Sequence, residues 1–322
     1  MDSATSQRHR DGLRNLSRRR PLGAPGSCGN VRAPAAEPRT TETLDLDAGH
    51  GFGDRHRQAG DAIDDDRAGV EVPVYERRYR GAMNPFGRLV NLSHVHDPAN
   101  TPVYPGDPAF EIDTVATIAE DGYHLRYVRQ GEHTGTHWGA PNHFDPAGPA
   151  ADELDVEDLL LPAVRIDVRA ACARDRDHAI TAADLRGWER EHGQIPEGAA
   201  VIAWTGWEGK WGTPDFLGAG ADAGHMPGFA VDAVEWLLET GRLGRRGALG
   251  IDTFGPDLGT DHEYAVSKLL YREHRISLEC LTNLAALPAT GAWVLAGGPI
   301  YRGGSGAPAT IFGIVPGAAN PR

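Results

Sequence analysis

The chain has 322 residues, enough for one large domain or two ordinary ones. Its formal net charge of −13 lies after residue 82: residues 1–82 hold 14 arginines against 13 acidic residues, and the remainder 18 basic against 32 acidic. An acidic body argues against a nucleic-acid or anionic-membrane surface, and no apolar run approaches the roughly 18–20 residues that a membrane-spanning helix needs.

Residues 1–82 are rich in Arg, Asp, Gly, Ala and Pro, with almost no periodic apolar pattern. Such a stretch cannot bury enough apolar surface to offset its chain entropy, which predicts a disordered extension. A chain whose translation begins at Met83 would read the same way. Residues 83–322 read as one ordered domain. Arg88 to Val95 is a strand, and Asp97 to Pro108 is a loop punctuated by prolines. Phe110 to Ile118 alternates as a half-buried strand does, and His124 to Gln130 is another strand.

Ala163 to Val168 is a further strand. Thr181 to Asp184 has the spacing of a capping box, with Gly193 closing the helix that it opens. Ala199 to Ala203 reads as a buried strand. Val231 to Thr240 has helical apolar spacing and stops at Gly241. Ala248 to Asp252 is a short strand, Glu263 to His274 a helix, and Trp293 to Ala296 and Thr310 to Val315 complete the sheet. Strands outnumber helices, so the fold class is mixed α/β.

Cys28, Cys172 and Cys280 are the only cysteines, and none forms a CxxC pair. That gives neither a disulfide framework nor a thiolate zinc site, and implies a reducing, cytoplasmic setting.

One stretch carries chemistry. His133, His137 and His143 fall within eleven residues, interrupted by Gly135, Gly139 and Pro141. The glycines and proline argue against a helix and for a tight loop that points several imidazoles into one place. Imidazole titrates near neutrality and ligates zinc-like metals, so the cluster suits metal binding or proton transfer. Trp138, Tyr104, Trp204, Trp207 and Trp211 are candidates for an aromatic pocket that would suit an aryl substrate. Core packing competes at each tryptophan except Trp138, whose place in the loop puts it near the site. Gly303 to Gly306 is a tight loop without the strand–loop–helix context of a phosphate cradle.

The pattern His133-x-Gly-Thr-His137-x-x-x-Pro141-x-His143-Phe144 resembles the signature of the cyclase superfamily, HxGTHxDxPxHF, whose best-known members are bacterial kynurenine formamidases. Leu92-Ser-His94 with Pro102 to Gly106, Gly250-Ile-Asp252, Glu279 to Leu284 and Gly303 to Pro308 resemble its other blocks, in order. The resemblance implies a mixed β-sheet closed into a barrel-like core with peripheral helices, in a homodimer or homotetramer. It also implies a hydrolase with one or two divalent metals, zinc or manganese. The equivalents of His133, His137 and the motif aspartate hold one metal. That aspartate bridges to a second, held also by a histidine and by a glutamate twelve residues later. The equivalent of His143 moves the proton.

Two positions depart from the pattern. Gly139 stands where the motif aspartate belongs, and Ser267 stands twelve residues before Glu279, where a histidine belongs. The remaining His133, His137 and Glu279 can hold a single divalent metal with a position open for water. The expected reaction is hydrolysis of an amide or ester carbonyl in a small aromatic substrate, with His143 as acid and base. Two alternatives stay open: a metal-independent cyclase acting on a polyketide-type intermediate, and an inactive family member that binds a ligand.

Overall fold

The computed structural model describes residues 87–218 and 224–317. The extension expected over residues 1–82, and its boundary with the ordered domain, lie outside the described residues.

In chain order the strands are β1 (Arg88–Asn91), β2 (Glu111–Ala116), β3 (Leu125–Arg129), β4 (His137–Gly139), β5 (Leu160–Asp167), β6 (Ala179–Ile180) and β7 (Ala200–Trp204). They continue as β8 (Gly228–Phe229), β9 (Arg246–Ile251), β10 (His274–Glu279), β11 (Ala292–Gly297), β12 (Gly306–Pro308) and β13 (Thr310–Val315). Among the described residues three helices exceed a single turn: α1 (Ala182–His192), α2 (Val231–Glu239) and α3 (Ala265–Leu270).

Nine strands form one mixed sheet in the order β1-β13-β11-β5-β7-β9-β10-β4-β12. β5, β7, β9 and β10 run parallel at its centre, and the flanking pairings are antiparallel. The sheet curls into a half-barrel with few helices around it, the mixed α/β architecture expected from the sequence.

The central strands are buried on both faces, which is why β7 is apolar throughout. Strand alternation divides its side chains between two cores. Ala200, Ile202 and Trp204 join Leu92, Trp138, Leu278 and Ile311 on one face. Val201 and Ala203 join Leu185 and Trp188 of α1, Leu237 of α2 and Leu270 of α3 on the other. α1 begins where its spacing predicts: the Thr181 hydroxyl accepts from the Asp184 N–H, and the Asp184 carboxylate accepts from the Thr181 N–H.

The structure differs from expectation in three places. The helix expected over 263–274 spans only Ala265–Leu270, and the chain then enters β10, a strand the sequence reading missed. β10 has only two aliphatic residues in six, and its polar Arg275, Ser277 and Glu279 are buried rather than solvated. Second, β4 and β12 lie in stretches read as loops, because glycine and proline occupy them. Third, β2 and β3 pair only with each other. β3 is exposed at every position and β2 buries only Ala116, so the expected half-buried alternation is absent there.

Candidate active site

The site is built across the β4–β10 pair. Their antiparallel register sets Glu279 opposite His137, Leu278 opposite Trp138, and Ser277 opposite Gly139. Because side chains alternate along a strand, His137, Glu279, Ser277 and position 139 share one face. Gly135, at φ +65°, turns the chain just before β4. A Cβ there would lie 2.4 Å from His96 Nε2, so only glycine fits. After β4 a short 3₁₀ turn, Pro141–His143, carries His143 to the ring of His133.

The three imidazoles do meet. His133 and His143 stack with centroids 3.8 Å apart, and His133 meets His137 edge to face at 5.0 Å. His137 Nδ1 lies 2.8 Å from the Gly135 carbonyl oxygen. A carbonyl only accepts, so the ring proton sits on Nδ1 and Nε2 faces Glu279 Oε2 at 3.2 Å, without hydrogen-bond geometry. Glu279 is held from its other sides: Oε1 accepts from the Ser277 hydroxyl at 2.6 Å, and Oε2 accepts from the Gly255 N–H at 2.8 Å.

Electrostatics sharpen this arrangement. Burial, aided by His137 and His143, pushes His133 down to about 3. Burial also acts downward on His137, but the Glu279 charge outweighs it and raises His137 above its ordinary value. Burial acts upward on Glu279, yet His137, Ser277 and His133 hold its carboxylate at about 2. His143 keeps an exposed edge; desolvation of its ring lowers its pKa, opposed by the Glu279 charge.

The room that a side chain at position 139 would need is taken. A Cβ at Gly139 would lie 2.3 Å from the Tyr271 hydroxyl oxygen and 2.7 Å from Ser277 Oγ. The Tyr271 hydroxyl donates to Ser277 Oγ, which in turn donates to Glu279. A tyrosine and a serine therefore fill the place of the motif aspartate and connect to the carboxylate. Ser267 is likewise committed elsewhere: its hydroxyl and N–H both donate to Asp257.

The aromatic candidates divide. Trp138 alternates with His137 and Gly139, so it points away from the site into the main core, 1% exposed. Its place in the loop does not bring its ring to the histidines. Tyr104 and Trp207 share an apolar cluster with Trp211, Phe216, Phe254 and Cys280, the residue after Glu279. Trp207 is 3% exposed and donates its indole N–H to the Phe216 carbonyl. Trp204 belongs to the main core, under the Arg169 guanidinium.

Sequence reasoning named Phe144 only as a motif residue and missed Tyr271; their rings stack at 5.8 Å, with His143 4.5 Å from the Phe144 ring. It also missed Asp107, whose carboxyl is raised by burial and coupled to the charges of His137, His143 and Glu279. Asp107 closes the turn that starts at Tyr104, its N–H donating to the Tyr104 carbonyl at 3.0 Å.

The donor set suits a divalent cation. His133 Nδ1 and His137 Nε2 are buried without hydrogen-bond partners, and Glu279 supplies one negative charge. Their ligand atoms do not all lie within 4.8 Å of one another, while those of His137 and Glu279 meet at 3.2 Å. Among the described residues the tighter group is Asp155, Asp158 and His274. There, guanidiniums take the cation's part: Arg246 pairs with both aspartates, and Arg245 lies 2.7 Å from His274 Nε2.

The Cyclase family model matches residues 90–258. Isatin hydrolase of Roseibium aggregatum is 33% identical over 232 residues, covering 67% of this chain and 88% of that one. Kynurenine formamidase of Salinibacter ruber is 35% identical over 104 residues, 32% of this chain and 49% of that one. The solved structure of isatin hydrolase A from Labrenzia aggregata bound to benzyl benzoate superposes with a TM-score of 0.68 at 31% identity, covering 76% of this chain and all of that one. With a family model matched over residues 90–258, which hold the histidine motif, and a relative 33% identical over 67% of its length, this chain belongs to the cyclase family.

Proposed function

We propose that this chain is a hydrolase that cleaves an amide bond of a small aromatic substrate at a single divalent metal, zinc or manganese, held by His133, His137 and Glu279. The observation that carries the reading is the Glu279 carboxylate set against His137, next to His133 with its buried, unpartnered Nδ1 and the exposed ring of His143 stacked on it. The names of the relatives, isatin hydrolase and kynurenine formamidase, support an amide carbonyl on an aromatic compound.

A bound divalent metal would polarise the scissile carbonyl and acidify water. The chain's own residues do the rest. His143 is neutral at pH 7 because its pKa lies below 6.5. It takes a proton from the attacking water through its exposed edge and returns it to the leaving nitrogen. Glu279, fixed by Ser277 and Gly255, keeps its charge facing His137. Tyr104 lies on the apolar cluster beside Glu279 and offers a face for an aryl ring. A homodimer or homotetramer belongs to the same proposal, and sedimentation of the purified chain distinguishes it from a monomer.

The 3.2 Å contact also favours a second reading. His137 and Glu279 can stand as an imidazolium–carboxylate pair without a metal. His143 would then serve proton transfer in a metal-independent cyclase of polyketide-type substrates. Turnover decides. Hydrolysis of isatin or N-formylkynurenine that is lost in His143→Ala supports the hydrolase; no turnover of either by metal-loaded protein removes it.

A further inference from the structure

We propose that Glu132 and Ser305 are positioning residues that fix the proton of His133 on Nε2 and so turn its bare Nδ1 into the site. The inference rests on the metal-site reading for its purpose, but its chemistry follows from donors and acceptors alone. Ser305 Oγ lies 2.8 Å from Glu132 Oε2 and 2.8 Å from His133 Nε2. A hydroxyl has one proton to give. The Glu132 carboxylate accepts only, and it also accepts the Ser305 N–H at 2.8 Å. The hydroxyl proton therefore goes to Glu132, and Ser305 Oγ accepts from His133 Nε2–H. The opposite assignment would set lone pairs of Ser305 and Glu132 against each other at 2.8 Å. A neutral imidazole carries one N–H, so Nδ1 is left bare; it is buried and has no hydrogen-bond partner.

The glycine-rich loop thereby gains a role. It brings Ser305 against the histidine stretch through Ala140 N–H to Ser305 carbonyl at 2.7 Å and Ala151 N–H to Gly304 carbonyl at 2.8 Å. A Cβ at Gly304 would lie 2.9 Å from Glu132 Oε1, and one at Gly306 would lie 2.3 Å from the Trp138 carbonyl oxygen. The loop is glycine-rich so that its backbone can approach this closely. His137 uses the Gly135 carbonyl for the same purpose. His133 thus enters the site as a neutral tautomer with a bare Nδ1, while His137, held by that carbonyl, turns Nε2 toward Glu279. Such outer partners typically change metal affinity about 10–100-fold.

Two measurements on the full chain test this. Two-bond ¹H–¹⁵N correlation spectra of metal-free protein should show His133 as the Nε2–H tautomer; an Nδ1–H tautomer overturns the proposal, whether or not the protein binds metal. Chelator competition with zinc should then show a Kd raised about 10–100-fold in Ser305→Ala, with the Nε2–H signature lost and both restored in Ser305→Thr. Glu132→Gln should weaken zinc binding in the same direction if Ser305→Ala does not fold. Unchanged zinc affinity in both variants overturns the proposal. A parent chain that takes up no zinc removes the metal centre instead, and leaves the tautomer result to decide the role of Glu132 and Ser305.

Discussion

Glu279 and His137 are cross-strand partners on β10 and β4, and their side chains meet at 3.2 Å. The register of two backbone strands thus places the carboxylate against the imidazole, with no loop needed to deliver it. Removing one member of a buried pair leaves the other uncompensated, which typically costs about 3–5 kcal/mol. Glu279→Ala should therefore lower stability in urea titrations of metal-free protein at pH 7 by about 3 kcal/mol. A loss below ~1 kcal/mol would mean that the pair is not formed in solution.

Gly139 and Tyr271 should behave as a coupled pair. Gly139→Ala drives a methyl against the Tyr271 hydroxyl oxygen, 2.3 Å from the ideal Cβ. Overpacking of this kind costs about 1–3 kcal/mol. In a Tyr271→Phe background the clashing oxygen is gone, so the cost of Gly139→Ala should fall by at least ~0.5 kcal/mol, a non-additivity readable in a double-mutant cycle. Additive costs would show that the hydroxyl does not occupy that room.

His143→Ala should lower kcat by about 10²–10⁴-fold, the usual contribution of a proton-transfer residue, while leaving zinc content unchanged. The sign of its pH dependence is fixed by its lowered pKa: the neutral base is present above that pKa and lost below it. The acid limb of the kcat/KM profile should therefore lie below pH 6.5, the ordinary imidazole value. An acid limb above 6.5 would assign the essential base to another group.

His94, whose backbone N–H donates to the Thr136 hydroxyl of the histidine loop, supplies a pH-dependent stability effect. Its ring stacks on Trp211 at 3.9 Å, and burial, with His96 adding to it, lowers its pKa from 6.5 to about 4. The unfolded chain takes up the proton first as pH falls. The stabilising contribution is complete above 6.5 and drains as pH drops towards 4. Discounted for partial exposure, the loss by pH 5 should be on the order of 1 kcal/mol. His94→Phe keeps the stack and should flatten that slope; an unchanged slope would place the effect elsewhere.

Much of this fold could be read in the sequence because its rules are local. The Thr181–Asp184 capping box and the apolar spacing of Val231 to Leu237 each specified a helix, and both helices begin where those signals lie. Clustering of His133, His137 and His143 was legible from spacing and glycines. The reach of Glu279 was not, because it depends on the strand register between β4 and β10, a pairing across more than a hundred residues. Tyr271 and Ser277 were invisible for a related reason. Nothing in the sequence says that a vacant position at Gly139 is filled by side chains from a helix end and a neighbouring strand. Trp138 was misplaced because its stretch was read as loop; once it is strand, alternation sends the ring to the core.

The central claim is that His133, His137 and Glu279 together hold one divalent metal. Elemental analysis of the full chain, purified without chelators and loaded with zinc or manganese, measures this directly. The account predicts about one ion per chain in the parent, as a two-histidine, one-carboxylate site should hold, and almost none in His133→Ala, His137→Ala or Glu279→Ala. A folded parent without metal, or variants that keep the full complement, would contradict it.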